Sequence, residues 1–124
     1  MLEHVNITVS DPQKTAAMLS DIFGWHIRWQ GKSGKGGDTV HVGTEESYVA
    51  VYSTGASRDP TSESYVMKGG LNHIGIVVDD LDATEQRVSE AGYTPHSHGD
   101  YQPGRRFYFH DDDGIEFEVV SYAG

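Results

Sequence analysis

Apolar and polar residues alternate in two short stretches, one near the start of the chain and one in its middle. In residues 4–9, HVNITV, the apolar positions are Val5, Ile7 and Val9. Residues 73–78, HIGIVV, repeat the arrangement, with isoleucine or valine at every second position. Alternation with a period of two predicts half-buried β-strands that carry apolar side chains on one face and polar ones on the other.

Each stretch is followed by a segment whose apolar residues have helical spacing. Asp11, or Ser10 before it, is a suitable helix N-cap, and Gly24 is a suitable helix terminator. The aspartate pair at 79–80 and Gly92 take the same places in the second segment. An amphipathic helix after each strand is expected to cover one face of a sheet and to leave the polar face open.

Three more strands are predicted after each helix. They are expected at 26–30, 39–43 and 47–53 in the first half, and at 94–98, 105–110 and 115–121 in the second. Between the halves, residues 54–70 are rich in serine, glycine and other turn-forming residues, which predicts a connector.

The two halves are similar in sequence. An offset of 69 positions aligns His4 with His73, and after one deletion an offset of 68 aligns Ala50 with Glu118. This internal repeat predicts an α+β protein made of two βαβββ modules, at about 2–53 and 71–122. We expect the modules to form one domain over residues 1–124.

The charge and composition exclude several classes of function. The chain has 124 residues and a formal net charge of −10, which disfavours nucleic acid or an anionic membrane as partners. It contains no cysteine, so disulfides and thiolate metal sites are excluded. No apolar run approaches the roughly 20 residues of a membrane-spanning helix, and no signal-peptide pattern is visible, so a cytoplasmic location is expected.

Candidate site residues lie on the polar face of the predicted sheets. If the apolar residues face the helices, His4 and His73 face away from them, and so does Glu118 on the last strand. Two imidazoles and a carboxylate suit a divalent ion such as Fe, Mn, Ni or Zn. A buried Glu118 carboxylate also needs a cationic neighbour. The alternative is a hydrogen-bonded Glu118 and two partly exposed histidines at strand starts.

Other residues on the same face are candidates for a substrate pocket. Tyr48 and Tyr52 flank Ala50 and predict an aromatic wall. Arg106 is expected on the same side of its strand as Tyr108. It is expected to pair with a substrate carboxylate or with Glu116, or to offset the negative charge of the acidic HDDDG segment. The predicted pocket residues are Asn6, Tyr48, Ala50, Tyr52, Arg106, His110 and Glu116.

Two short polar segments have competing interpretations. HDDDG, residues 110–114, is interpreted as a tight turn and not as a calcium loop. HSHGD, residues 96–100, is interpreted as a solvated loop, with a proton carrier near the site as the alternative.

The strands LEHVNITV and LNHIGIVV, together with RRFYFHDDDGIEFEVV, resemble the vicinal oxygen chelate superfamily of glyoxalases, bleomycin resistance proteins and ring-cleaving dioxygenases. FYFHDDDGIEFE is similar to the family motif FYFxDPDGxxxE, with Asp112 in place of proline. The resemblance implies paired βαβββ modules whose curved mixed sheets form a half-barrel cleft, and often a homodimer. It also implies metal ligands at His4, His73 and Glu118.

The chain departs from some branches of that family. Glyoxalase I and its epimerase relatives carry a fourth ligand where this chain has Ala50, so their chemistry is not expected here. Extradiol dioxygenases have a tyrosine at the position of Tyr108, but His98 lies one residue too far from the aromatic pair of their signature. Fosfomycin resistance enzymes, which use manganese, carry threonine where this chain has Asn6.

The sequence therefore predicts a metal-dependent enzyme with dioxygenase-like or lyase-like chemistry on a small substrate, with Tyr108 as the catalytic group. A metal-free drug-binding protein of the bleomycin-resistance kind and a fosfomycin-resistance-type transferase are the alternatives.

Overall fold

The computed structural model describes residues 1–34 and 36–122 of the chain. The elements follow the order βαβββ twice. In the first half they are β1 (His4–Thr8), α1 (Pro12–Phe23), β2 (His26–Lys32), β3 (Asp38–Gly43) and β4 (Tyr48–Ser53). In the second half they are a 3-10 turn (Ser64–Val66), β5 (Ile74–Val77), α2 (Leu81–Glu90), β6 (His96–Tyr101), β7 (Gly104–His110) and β8 (Glu116–Ser121). The chain divides into two compact units, residues 1–59 and 60–124.

The first unit is a four-stranded mixed sheet covered by α1. Its strand order is β1-β4-β3-β2, with β1 parallel to β4 and the other pairs antiparallel. Asp11 caps α1 by accepting a 3.2 Å hydrogen bond from the Lys14 amide, and Gly24 ends the helix at a φ of +73°. Leu19 of α1 and Val51 of β4 are fully buried, so the core lies between the helix and the sheet.

The second unit repeats this plan. Its strand order is β5-β8-β7-β6, with β5 parallel to β8. Asp80 caps α2 through a 3.0 Å hydrogen bond from the Ala83 amide. Phe107, Phe109 and Phe117 are at most 1% exposed, which places the α2 side of β7 and β8 in the core. Alternation along these strands then puts the residues between the phenylalanines on the opposite side, which we call the open face of the second sheet.

The internal repeat is confirmed by strand register. Asn6 pairs with Ala50 in the first sheet, and Gly75 pairs with Glu118 in the second. These pairs are related by the offsets of 69 and 68 that align the sequence halves. The fold class predicted from the sequence is therefore confirmed, and no strand end differs from its predicted position by more than three residues.

The HSHGD segment is not a solvated loop, so that interpretation was wrong. It forms most of β6, which pairs with β7 from His96↔Tyr108 to Tyr101↔Gly104. Pairing with the hairpin partner extends the strand beyond the predicted boundary at residue 98 and overrides the local glycine and serine content. HDDDG is a turn, as predicted: the Asp111 carboxylate accepts 2.9 Å hydrogen bonds from the amides of Asp113 and Ile115.

No helix among the described residues is long and apolar enough to cross a membrane.

Candidate functional site

His73 and Glu118 meet on the open face of the second sheet. His73 immediately precedes β5, and Glu118 lies in the middle of β8, the parallel neighbour of β5. The distance from His73 Nε2 to Glu118 Oε1 is 3.0 Å, and their side chains are 33% and 13% exposed. Two of the three predicted ligands are therefore brought together within one unit.

The second oxygen of Glu118 is bound by Arg106. Arg106 Nη1 donates to Glu118 Oε2 at 2.7 Å, and both side chains are 13% exposed. The expected cationic neighbour of Glu118 is thus present as a guanidinium. The expected pairing of Arg106 with Glu116 was wrong, because Arg106 lies opposite Val120 in the sheet and reaches Glu118 diagonally.

Glu116 has its own partners. It lies opposite His110, and His110 Nε2 is 3.3 Å from Glu116 Oε1. The Tyr65 hydroxyl donates to Glu116 Oε2, and this hydrogen bond raises the pKa of Tyr65 to about 12. The same hydroxyl is 3.4 Å from His73 Nδ1. Tyr65 was missed from the sequence because it lies in the connector, whose turn-forming composition carries no site signal.

Tyr108 lies between two histidines on this face. Its ring meets His73 edge-on at 5.7 Å and stacks with His96 at 6.3 Å. Burial, followed by the negative charge of Glu118, raises the pKa of Tyr108. His96 Nε2 is also 3.0 Å from His110 Nδ1. Its neighbour His98 is bonded to Glu85 of α2 at 2.9 Å, so of the two HSHGD histidines it is His96 that joins the open face.

The first unit presents aromatic rings at the equivalent positions. His4 stacks on Tyr48 at 4.8 Å, and Tyr48 stacks on His41 at 4.5 Å. His4 Nδ1 is also 2.9 Å from Glu3 Oε1. Burial lowers the pKa of His41, which favours the neutral imidazole. His41 lies opposite Ala50, as Tyr108 lies opposite Glu118. His41 was missed because the sequence offsets of 68 and 69 do not align it with Tyr108; the strand register does.

The remaining predicted pocket residues of the first unit alternate along their strands with residues of the helix-facing side, as expected. Asn6 is exposed, Tyr52 is half-buried, and Ala50 is 1% exposed. Their membership of a pocket, and that of His4 in the ligand set, stay predictions.

The donors of the second unit fit part of a divalent metal site. Two ligands at metal distances of about 2.0–2.2 Å lie roughly 3 Å apart, which matches the His73–Glu118 separation. Arg106 occupies the other carboxylate oxygen, so Glu118 offers one oxygen to an ion. Over residues 1–34 and 36–122, no group of three or more His, Cys, Asp or Glu side chains is arranged as a metal cluster.

Comparison with known proteins gives the family. The model of the glyoxalase, bleomycin resistance protein and dioxygenase superfamily matches residues 1–119. The chain belongs to this superfamily. Its two βαβββ units are the fold expected of a superfamily member, and the resemblance noted in the sequence is confirmed.

Solved structures of the superfamily share this fold. A glyoxalase/bleomycin resistance protein/dioxygenase domain from Frankia sp. EAN1pec is 22% identical, covers 98% of this chain and 96% of its own, and has a TM-score of 0.81. The fosfomycin resistance protein FosX from Listeria monocytogenes, complexed with Mn(II) and sulfate, is 21% identical to this chain. The match covers 100% of this chain and 92% of FosX, with a TM-score of 0.74. A glyoxalase family protein from Enterococcus faecalis is 18% identical. The match covers 97% of this chain and 96% of that protein, with a TM-score of 0.77. No curated protein matches the chain.

Proposed function

We propose that this superfamily member is a divalent-metal-dependent enzyme that acts on a small substrate with two neighbouring oxygens. The ligands would be His4, His73 and Glu118, and the ion Fe, Mn, Ni or Zn. The observation that carries the proposal is the 3.0 Å approach of His73 Nε2 to Glu118 Oε1 on a partly buried sheet face. Manganese is a natural first choice for testing, since the FosX neighbour is complexed with Mn(II).

A bound divalent ion would supply Lewis-acid stabilisation of charge on the substrate oxygens. The protein's own residues divide the other tasks. Arg106 holds Glu118 Oε2 and so keeps Oε1 turned towards His73. Tyr108, whose ring lies against His73, would donate a hydrogen bond to a substrate oxygen. Its raised pKa keeps the phenol protonated at neutral pH, so donation is favoured over acting as a base.

The position of Ala50 favours dioxygenase-like or lyase-like chemistry over glyoxalase I chemistry. Ala50 pairs with Asn6 where the second sheet pairs Glu118 with Gly75. A methyl group there neither binds an ion nor moves a proton. Oxygen uptake with catechol as substrate distinguishes the two remaining classes, because a lyase consumes no dioxygen.

A metal-free drug-binding protein is the second candidate. It is favoured by the Arg106–Glu118 ion pair, which neutralises the carboxylate without any metal ion. The stacked rings of His4, Tyr48 and His41 would then form the wall that packs against an aromatic drug.

Metal analysis separates the candidates. Protein purified without chelators and incubated with Mn, Fe, Ni or Zn salts is expected to retain about one ion per chain by elemental mass spectrometry. His73→Ala should lower metal affinity at least ~10-fold, because it removes one of three protein ligands. The matched control is His98→Ala, since His98 is bonded to Glu85 of α2 and should leave binding unchanged. Retention of the ion by His73→Ala would contradict the proposed ligand set, whereas no binding by the unaltered protein supports the metal-free candidate.

We also propose a cytoplasmic homodimer with a small-molecule partner. A homodimer is the state that family membership favours, and light scattering should then give twice the 13.6 kDa mass of the chain. A mass of one chain at micromolar concentration contradicts this proposal.

A further inference from the structure

One buried nitrogen on the open face of the second sheet lacks a partner. Across residues 1–34 and 36–122, Arg106 Nε is the buried side-chain polar atom that makes no hydrogen bond. An N–H group that is removed from water and left unpaired destabilises the folded state. Native structures keep few such groups, and one beside a site carries a functional hypothesis.

The guanidinium of Arg106 makes one short hydrogen bond, through Nη1. Nη1 donates to Glu118 Oε2 at 2.7 Å, whereas Nη2 makes a long 3.5 Å contact with the Gly104 carbonyl. Nε and the neighbouring Nη nitrogen form the parallel pair of donors that matches the two oxygens of a carboxylate. This edge of Arg106 is therefore a carboxylate-binding fork without a carboxylate in the described residues.

We propose that the Nε edge of Arg106 binds a carboxylate of the substrate, so that the proposed substrate carries an anionic group in addition to its chelating oxygens. This inference rests on the proposed function for the reaction, but the binding fork is a property of the chain itself. Glu116 and Glu118 lie on the same face, so a monoanionic carboxylate is favoured over a dianion such as a phosphate.

The Tyr101 ring packs against the guanidinium that carries the fork. The Arg106 guanidinium carbon lies 4.9 Å from the Tyr101 ring centroid, and Tyr101 is 60% exposed at the end of β6. Gly99 makes room for this ring, because a Cβ at that position would come within 2.5 Å of a Tyr101 ring carbon. Because Tyr101 is exposed, rotation of its side chain is the movement that we expect to uncover the Nε edge.

The adjacent Arg105 provides a matched control. It points to the other side of β7, where Arg105 Nη2 donates to Asp82 of α2 at 2.9 Å. Arg105 and Arg106 thus differ in partner and face while sharing residue type and strand. Arg106→Lys keeps a cation beside Glu118 but removes the fork, so it tests the donor geometry with less risk to folding.

The first experiment compares catechol with 3,4-dihydroxybenzoate by calorimetry on the metal-loaded protein. The unaltered chain should bind the carboxylated probe about 10-fold tighter or more, because charge-assisted hydrogen bonds contribute that much. Arg106→Lys should remove the advantage, whereas Arg105→Lys should preserve it. The quantity compared between variants is the ratio of the affinities for the two probes. The probes differ in acidity, but this difference affects every variant equally and so drops out of the comparison. An equal advantage in Arg106→Lys overturns the inference and leaves the proposed function standing, whereas metal-independent binding of both probes overturns the proposed function.

The second experiment requires no metal. The arginine Nε–H signal that disappears in Arg106→Lys is assigned by NMR and followed during titration with benzoate or neutral benzamide. A downfield shift with benzoate alone is expected, because the hydrogen bond is formed to a charged acceptor. The absence of a shift at millimolar benzoate overturns the inference whatever the metal analysis gives.

Discussion

Asp111 shows how one buried carboxylate fixes a turn on the second module. It is 9% exposed and accepts two backbone hydrogen bonds in the segment between β7 and β8. Burial raises the pKa of Asp111 despite these hydrogen bonds. The native state therefore holds the Asp111 proton more tightly than the unfolded chain does.

The raised pKa of Asp111 has a defined pH signature. Its stabilising contribution is present below the unfolded value of 3.8 and is lost as pH rises through the higher folded value. Asp111→Asn keeps the acceptor oxygen but removes the charge, so its stability relative to the unaltered chain should increase from pH 3 to pH 7. Urea unfolding at both pH values measures this difference.

A second variant, Asp111→Ala, loses both hydrogen bonds and should cost about 1–3 kcal/mol. Because alanine also lacks the titrating carboxyl, this cost should be smaller at pH 7 than at pH 3. An Asp111→Asn variant whose relative stability falls as pH rises would contradict the assignment.

Single residues also show how far sequence reasoning reaches. Strand alternation correctly predicted that Glu118 lies on the face away from the helix, next to the buried Phe117, because alternation is a local property. The partner of Arg106 was not predictable, since it depends on the diagonal neighbour across β7 and β8. Tyr65 could not be predicted as a site residue because its contact with Glu116 joins residues that are 51 positions apart in sequence.

At the scale of elements, the two helices begin in the same way. The sequence left Ser10 and Asp79 as alternative caps, and the structure assigns the caps to Asp11 and Asp80. Each aspartate accepts a hydrogen bond from the amide three residues later, which satisfies one otherwise free helical N–H group.

Removing either cap should destabilise the protein measurably. Asp11→Ala and Asp80→Ala are each expected to cost about 0.5–2 kcal/mol in unfolding free energy, whereas the asparagine variants should be close to neutral. Chemical denaturation followed by circular dichroism measures the differences. Asp79→Ala is the control, and a cost equal to that of Asp80→Ala would show that the cap assignment is wrong.

Strand β6 shows where local composition misleads. HSHGD contains glycine, serine and aspartate, which are poor strand formers, yet it pairs with β7. The pairing is supplied by the neighbouring strand and not by the segment's own residues. Elements whose apolar pattern is strong, such as β3, β4 and α1, were predicted to within about two residues.

At the scale of the whole molecule, charge should govern the response to salt. With a formal net charge of −10, the folded chain carries self-repulsion that counterions reduce. Raising NaCl from about 10 mM to about 150 mM shortens the Debye length from roughly 30 Å to 8 Å. We expect the melting temperature to rise over this range, as measured by thermal circular dichroism. A fall would indicate that favourable ion pairs outweigh the net repulsion.

The duplication explains which features of the whole fold could be predicted from the sequence and which could not. The offsets of 69 and 68 predicted the two sheets because equivalent residues keep equivalent register. The side chains at those positions have since diverged, with His41 and Ala50 in one unit and Tyr108 and Glu118 in the other. Backbone symmetry therefore predicts where a site residue lies, but not what it contacts.

The Arg106–Glu118 ion pair bears on when the ion of the proposed function would bind. Zinc fingers cannot fold until their metal arrives, because their ligands have no other partner. Here an arginine of the same sheet already neutralises the carboxylate, so we expect the chain to fold without an ion. If the proposed metal site is correct, metal binding would follow folding and be reversible, and a chelator should yield a folded protein that binds the ion again.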